Sequence, residues 1–323
     1  MDLDLDLTPH ARNRIGDLAA SAASPVPMLT RRQLRSAGLD DQTIRSLTDS
    51  GDLSRQGRGV YAPMGVGTPD PMIIRICAHH AASTGASHVY THTSAALIWG
   101  LSVWRARPLV HVAHAGRRGN SGPACDIVRH NQRIPDSQVT TRGGLRVTSL
   151  ERTIIDCARL LPFELAVIIA DSGLANGADR ETIRRLVVEG RGTRGIRRVR
   201  EALAAANGLS ESPAETRFRL LLEEWNLPEP ELQLWIATAG GRERVDFAWS
   251  ARRLVIEVHG YAKYFDYGPP DTKVVAQRER EARLVAAGWR VLNVYWPELD
   301  DVEALRTKVR AFLTTPHALF DVA

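Results

Sequence analysis

Apolar and polar positions along the chain change period several times, and each change marks an element. Residues 30–37 predict a short helix with Thr30 as N-cap and Gly38 as its stop. Asp40 or Asp41 then caps a second helix over residues 42–50, which ends at Gly51. Residues 53–62 read as a β-ribbon, with Gly57 and Gly59 flanking basic residues before the β-prone pair Val60-Tyr61. Helix, tight turn, helix and ribbon make the order of a winged helix-turn-helix.

The middle of the chain mixes periods. Strand-like runs fall at 109–113 and 145–148, and helical runs at 72–83, 93–99, 149–160 and 163–174. Gly116 to Gly122 forms a polar loop, and residues 180–203 read as one strongly basic helix. From Asn207-Gly208 onward the pattern is cleaner. A helix over 213–225 must end before Leu227-Pro228, because the residue ahead of a proline disfavours the α region. Strands follow at 231–238, 243–249 and 253–259, then a helix over 271–287, a strand over 289–296 and a helix over 299–313. The fold class is α/β (α+β multidomain), with a winged helix over 1–69, a mixed α/β region over 70–207 and an αβββαβ domain over 208–315.

Composition narrows the function classes only a little. There are 42 Lys+Arg against 37 Asp+Glu, a net charge of +5, which is compatible with nucleic-acid binding but weak evidence for it. Cys77, Cys125 and Cys157 are odd in number, far apart and lack a C-x-x-C pair, which argues against a disulfide framework or zinc ribbon and suits a reducing cytoplasm. Residues 1–7 alternate Asp and Leu without a basic start, unlike a signal peptide. No apolar run approaches the ~20 residues of a membrane helix.

The candidate chemistry lies in the third zone. If the strands around Asp246 and Glu257 are joined by a two-residue loop at Ala251-Arg252, Trp249 faces Leu254 and Asp246 falls opposite Glu257. Opposed residues on one sheet face stand ~4.5–5.5 Å apart at Cβ. Two carboxylates that close need a shared proton or a cation, and hard divalent ions favour such oxygens. Alternation puts Val255, Glu257 and His259 on one face, expected to carry the chemistry, and Leu254, Ile256 and Val258 on the apolar face. A second reading pairs Glu257 with an arginine such as Arg244 in a structural salt bridge, and both stay open here.

Glu215 on a helix, Asp246 on a strand and Glu257-Val258-His259 on the next resemble the PD-(D/E)XK nuclease superfamily. More closely, the chain is similar to Vsr-like (very-short-patch-repair-like) endonuclease-domain proteins of actinobacteria. The matching text is Ser212-Pro213-Ala214-Glu215-Thr216-Arg217, residues 227–233, Val245-Asp246-Phe247, Ile256-Glu257-Val258-x-Gly260, Lys263-Tyr264, Arg278-Glu279 with Arg283-Leu284, Gly288-Trp289-x-Val291 and Trp296-x-x-Leu299. The resemblance spans most of 210–300 and implies a restriction-endonuclease-like fold. It also implies that Asp246 and Glu257 hold Mg²⁺ or Mn²⁺, that Glu215 assists and that metal-activated water attacks a phosphodiester. A basic group would stabilise the transition state. Two residues after the glutamate, where the superfamily usually has Lys and closer relatives Asp, this chain has His259. Lys263 stands as a replacement, as do Gln277 and Arg278.

Thr30-Arg31-Arg32-Gln33-Leu34-x-x-Ala37-Gly38, Thr43-Ile44-x-x-Leu47 and Gly57-x-Gly59-Val60-Tyr61 resemble the N-terminal domain of AbiEi-type antitoxins of type IV toxin–antitoxin systems. Residues 93–101 and Arg146-Val147-Thr148-Ser149-x-Glu151-Arg152-Thr153-x-x-Asp156 resemble the region that accompanies it. In the winged helix, Gln42, Thr43 and Arg45 would enter the major groove while Arg55 and Arg58 touch phosphates. Asp40, Asp41, Asp49 and Asp52 dilute that basic face. His79, His80, His88 and His92 lack a carboxylate or Cys partner at ligand spacing and read as surface and core histidines. The arginines of 184–200 read as a solvated helix face. Two function classes follow. One is a DNA-binding protein with a Mg²⁺-dependent endonuclease domain. The other is an AbiEi-like antitoxin and transcriptional repressor, partner to a nucleotidyltransferase-type toxin, with a catalytically inactive nuclease fold.

Overall fold

The computed structural model describes residues 26–64, 70–83, 88–114, 126–260 and 270–315. The 116–122 loop, residues 1–7 and Lys263 lie outside these. The chain divides between Leu160 and Leu161 into two compact units.

In the first unit, β1 (Leu29–Thr30), α1 (Arg31–Ser36), α2 (Asp41–Asp49), β2 (Leu53–Gly57) and β3 (Val60–Pro63) follow in the order that the patterning predicts. Thr30 and Gln33 close a capping box on α1, and Asp40 caps α2 by accepting the Thr43 amide at 2.8 Å. Such caps satisfy amides that the helix itself cannot. The strands pair as an antiparallel sheet in the order β1-β3-β2. Leu29, Leu34, Leu39, Ile44, Leu47, Leu53 and Tyr61 fill the core beneath it.

The helix α3 (Pro71–Ala82) has two apolar faces. Cys77 and Ala78 pack with Val60 and Ala62, while Ile76 enters the core of a second sheet. That sheet is built from β4 (Val89–Tyr90), β5 (Val110–His114), β6 (Ile127–Asn131), β7 (Val139–Arg142) and β8 (Leu145–Thr148), in the order β6-β5-β4-β8-β7. The helices α4 (His92–Ile98) and α5 (Leu150–Leu160) complete it. Patterning finds β5 and β8 only. β4 has two residues, too few for a period, and Arg129, Thr140 and Thr141 leave β6 and β7 without an apolar alternation.

The second unit opens with α6 (Phe163–Ala175), α7 (Arg180–Glu189) and α8 (Ile196–Ala205). The single helix expected over 180–203 is therefore two. Gly192 at φ +79° and Gly195 at φ +83° break it in the left-handed region, where glycine alone is unstrained. Its arginines face solvent, with Arg184 on Glu181 at 3.2 Å and Arg197 on Glu201 at 2.8 Å. Then come α9 (Pro213–Glu224), β9 (Glu231–Thr238), β10 (Gly241–Trp249), β11 (Leu254–His259), α10 (Pro270–Ala286) and β12 (Arg290–Tyr295). A 3₁₀ turn over Trp296–Asp300 precedes α11 (Val302–Thr314), where one longer helix was expected. The αβββαβ order is the predicted one.

The sheet order is β12-β11-β10-β9, with β11 and β12 parallel and the other pairs antiparallel. The β10–β11 connection is a 3₁₀ turn over Ser250–Arg252 followed by Arg253 at φ +49°, not a two-residue loop. Both loops share one centre, so Trp249 still pairs with Leu254 and the register is unchanged.

Asp171 ties the first helix of this unit to the sheet's helix. Its buried carboxylate accepts from Arg219 at 2.7 Å, from the Thr216 hydroxyl at 2.9 Å and from the amides of Asn207 and Gly208 at 2.8 and 3.1 Å. Gly208 sits at φ +77°, and a Cβ there would lie 2.7 Å from the Leu174 Cβ. Arg219 also holds Glu223 at 3.0 Å and the Ala205 carbonyl at 2.7 Å. The Thr216 hydroxyl and the Asn207 and Gly208 amides, however, would lose their acceptor, so Asp171→Ala should destabilise this unit by about 2–4 kcal/mol. Urea denaturation followed by tryptophan fluorescence measures it, and a loss under about 1 kcal/mol would show that Asp171 does not hold these groups together.

Candidate functional site

Glu215 is placed by the start of α9. Ser212 is the N-cap and Pro213 the first helical residue, so Glu215 occupies the third position, from which a glutamate reaches back. Its Oε1 accepts the Ser212 hydroxyl at 2.7 Å. Its Oε2 accepts the Glu211 amide at 2.8 Å and the Gln233 amide side chain at 3.0 Å. Gln233 makes that reach from a backbone at φ +54°, uncommon for a side chain other than glycine. Burial first, then the Asp246 carboxylate, push the Glu215 carboxyl from 4.5 up to about 7, against the bonds from Glu211 and Ser212.

The β10–β11 ladder runs through Phe247–Ile256, Ala248–Val255 and Trp249–Leu254. The pairing ends there, and Asp246 and Glu257 are the next residues on the two strands. There Asp246 Oδ2 accepts the Val258 amide at 2.8 Å. Glu257 is only 3% exposed, and its Oε1 lies 2.9 Å from Arg280 on α10. The face expected to carry the chemistry is thus covered. Val255 packs with Leu284 of α10, one helical turn from Arg280, and every residue of β11 is buried. A parallel β11–β12 pair requires a crossover, and its helix lies over that face.

Arg280 also approaches Glu243 at 3.4 Å and donates to the Arg244 carbonyl. Arg244 pairs with Glu211, not with Glu257. Of the replacement candidates on this helix, Arg278 is exposed and Gln277 half-buried, and neither is the group on Glu257. Arg280 could have been found from its i,i+4 spacing to the apolar Leu284. His259 is 6% exposed, holds Asn293 Oδ1 at 2.7 Å through Nε2 and stacks on Tyr295. As arranged, the carboxylates do not fit a bare Mg²⁺ centre, since Arg280 already supplies positive charge to Glu257. Among the described residues, the side chains that converge as a three-ligand group are His92, His111 and His130. Burial, with the neighbouring histidines, pushes His92 down to about 2 and His111 to about 4, so both rings are neutral. His79 bonds the Tyr90 hydroxyl at 2.9 Å and His88 packs on Tyr90, whereas His92, read with them as a surface or core histidine, joins the three-ligand group.

On the winged helix, Gln42 and Arg45 of α2 and Arg55 and Arg58 of the ribbon are exposed. Thr43 is half-buried and donates its hydroxyl to Asp40 at 2.7 Å, so the cap consumes it. The acidic residues of this face are largely occupied. Asp41 pairs with Arg31 at 2.6 Å, and Asp52 accepts from Ser50 at 2.8 Å. The Thr43 amide and then its hydroxyl hold the Asp40 carboxyl below its ordinary range, and the Arg31 bond does the same for Asp41.

The chain is 31% identical over 255 residues to the uncharacterized protein Rv2248 of Mycobacterium tuberculosis H37Rv, covering 78% of this chain and 88% of that protein. It belongs to the Rv2248 family. The uncharacterized protein MT2308 of strain CDC 1551 matches with the same figures. Residues 17–63 match the AbiEi antitoxin transcriptional-regulator model, so this Rv2248 relative carries an AbiEi-type regulator domain where α1, α2 and the ribbon lie. The crystal structure of the RV2827C protein from M. tuberculosis aligns at a TM-score of 0.43 and 21% identity, over 65% of this chain and 80% of that one. That likeness is too loose to carry a site across. Among the described residues of this family member, no helix is long and apolar enough to cross a membrane.

The raised Glu215 carboxyl gives stability a pH dependence. The folded state holds this proton more tightly than the unfolded chain, so the contribution is complete below about pH 4.5 and is lost as pH rises through about 7. Glu215→Gln cannot lose the proton and should gain on wild type by roughly 2–3 kcal/mol across that window. Paired urea melts at several pH values read the difference, and parallel stability curves would contradict the shift.

Proposed function

We propose that this chain is a DNA-binding transcriptional regulator of AbiEi antitoxin type, which docks its α2 helix in the major groove and its ribbon on the flanking backbone. The observation that carries the reading is the exposed set Gln42, Arg45, Arg55 and Arg58, on a face whose acidic neighbours Asp40 and Asp41 are spent on a cap and on Arg31. Gln42 and Arg45 are of the types that read base edges, whereas Arg55 and Arg58 fit phosphates. Thr43 contributes by holding the start of α2. The partner class on this reading is a toxin, of nucleotidyltransferase type by resemblance.

The test is fluorescence anisotropy on the promoter duplex ahead of its own gene, with a scrambled duplex as control. Arg45→Ala should lose about 1–3 kcal/mol on the promoter and relax the preference over the scrambled duplex. Joint Arg55→Ala and Arg58→Ala should weaken both duplexes alike and lower the salt slope by about two. Wild-type binding that is independent of salt would end the reading.

A second reading, a Mg²⁺- or Mn²⁺-dependent endonuclease, is supported by Asp246 bonding the Val258 amide next to Glu257 and by its charge acting on Glu215. Asp246 and Glu257 would be its metal ligands, and Arg280 would have to leave Glu257 first. His259 would then serve as a packed neighbour, and Lys263 remains a basic candidate. On the regulator reading, the full chain with either metal leaves supercoiled plasmid intact. Nicking that disappears in both Asp246→Ala and Glu257→Ala would replace the first reading with the second.

A further inference from the structure

In the first unit, three histidines that are remote in sequence meet on the five-stranded sheet. His111 lies on β5 and His130 on the parallel neighbour β6, where His111 pairs with Val128 and Ala113 with His130. His111 and His130 are therefore two residues out of step and share one face. His92 comes from the junction of β4 and α4, beside β5 through the Thr91 amide on the His111 carbonyl at 3.1 Å. One ring nitrogen from each lies within 4.8 Å of the others. His111 Nδ1 is 3.0 Å from His130 Nε2.

We infer that His92, His111 and His130 form a three-imidazole site for Zn²⁺ or a similar borderline-soft divalent ion, with solvent in the fourth position. Neutral imidazole is the ligand such ions favour, and three histidines with an open position form a known donor set for Zn²⁺. The surroundings have the layout of a supported metal site. His92 Nδ1 lies 3.2 Å from the Thr91 hydroxyl, which donates to Asp156 at 3.0 Å. Arg152 in turn holds Asp156 at 2.9 Å. A ligand ring whose second nitrogen meets a fixed hydroxyl–carboxylate chain is oriented and tautomer-selected by it. That leaves His92 Nε2 for the metal.

Two geometric facts bear on closure. The rings of His92 and His130 stack at 3.9 Å and 15°, so an ion cannot lie in both ring planes until one ring turns. Histidine χ2 is a broad torsion, which makes that turn easy. Nitrogens about 2.0–2.1 Å from a tetrahedral Zn²⁺ stand about 3.3 Å apart, and the His111–His130 pair is already near that. His92 is also held at φ +50°, in the left-handed region, at the cluster rather than in a turn tip. Strain of that kind gathers at functional positions.

The experiment uses the untagged full chain, stripped with chelator and dialysed against Zn²⁺, with elemental analysis for stoichiometry. Wild type and Asp246→Ala should retain stoichiometric Zn²⁺, and His111→Asn and His130→Asn should lose it while keeping the wild-type circular dichroism. Retention in Asp246→Ala separates this site from the carboxylates of the second unit. Co²⁺-loaded wild type should show tetrahedral visible bands, and X-ray absorption of the Zn²⁺ form should show imidazole scattering. The inference is overturned by wild type that retains no Zn²⁺, by His130→Asn that retains all of it, or by an absorption spectrum without imidazole. The last measurement needs no variant and stands even if the substitutions unfold the protein.

Discussion

The parallel pairing of β11 with β12 constrains the whole second unit. Two parallel neighbours cannot be joined by a tight turn, so the chain must cross the sheet, and α10 is what crosses it. That helix then covers the strand face bearing Val255 and Glu257. Once Glu257 is buried it needs a positive partner, because an isolated carboxylate in a dry interior is far too costly. Arg280 is that partner, and Leu284 one turn on anchors the same helix face in the core. Topology, burial and charge pairing are thus a single chain of cause.

The same logic of occupied groups separates the two parts of the molecule chemically. On the winged helix, Asp40, Asp41 and Asp52 are absorbed into caps and pairs, and exposed cationic ends remain. Around Asp246 the situation is reversed: Glu215 serves a helix start, Glu257 serves Arg280, and His259 serves Asn293 and Tyr295. Each residue of the motif has a structural duty. A surface with uncommitted cations meets a polyanion directly, whereas committed carboxylates must first exchange partners to hold a cation.

How far the sequence could be read follows from the range of each signal. Caps, glycine stops and helical or alternating periods are local, which is why Thr30, Asp40, Ser212 and the αβββαβ order were legible. The Trp249–Leu254 register was legible too, although the loop was longer than expected, because a symmetric loop preserves parity. Non-local facts were not legible. Arg280 meets Glu257 across a crossover of more than a dozen residues, and His111 meets His130 through a parallel pairing that no local pattern announces. The two-residue β4 and the polar β6 and β7 carry too little apolar alternation to register.

The charge around Glu257 decides which chemistry the second unit can perform. Arg280 approaches Glu257 and Glu243 together, so its single charge serves more than one carboxylate. A divalent ion would satisfy Asp246 and Glu257 better electrostatically, but only after the desolvated arginine found another home. Its nearest alternatives are the Arg244 carbonyl, which it already uses, and Glu243, already shared with Arg283 at 2.7 Å. Exchange of arginine for metal therefore requires the Arg280 side chain to swing off Glu257, while Val255 and Leu284 keep the backbone of α10 on the sheet. The cluster as built holds the helix on the sheet, with Arg280 bridging Glu257 and Glu243.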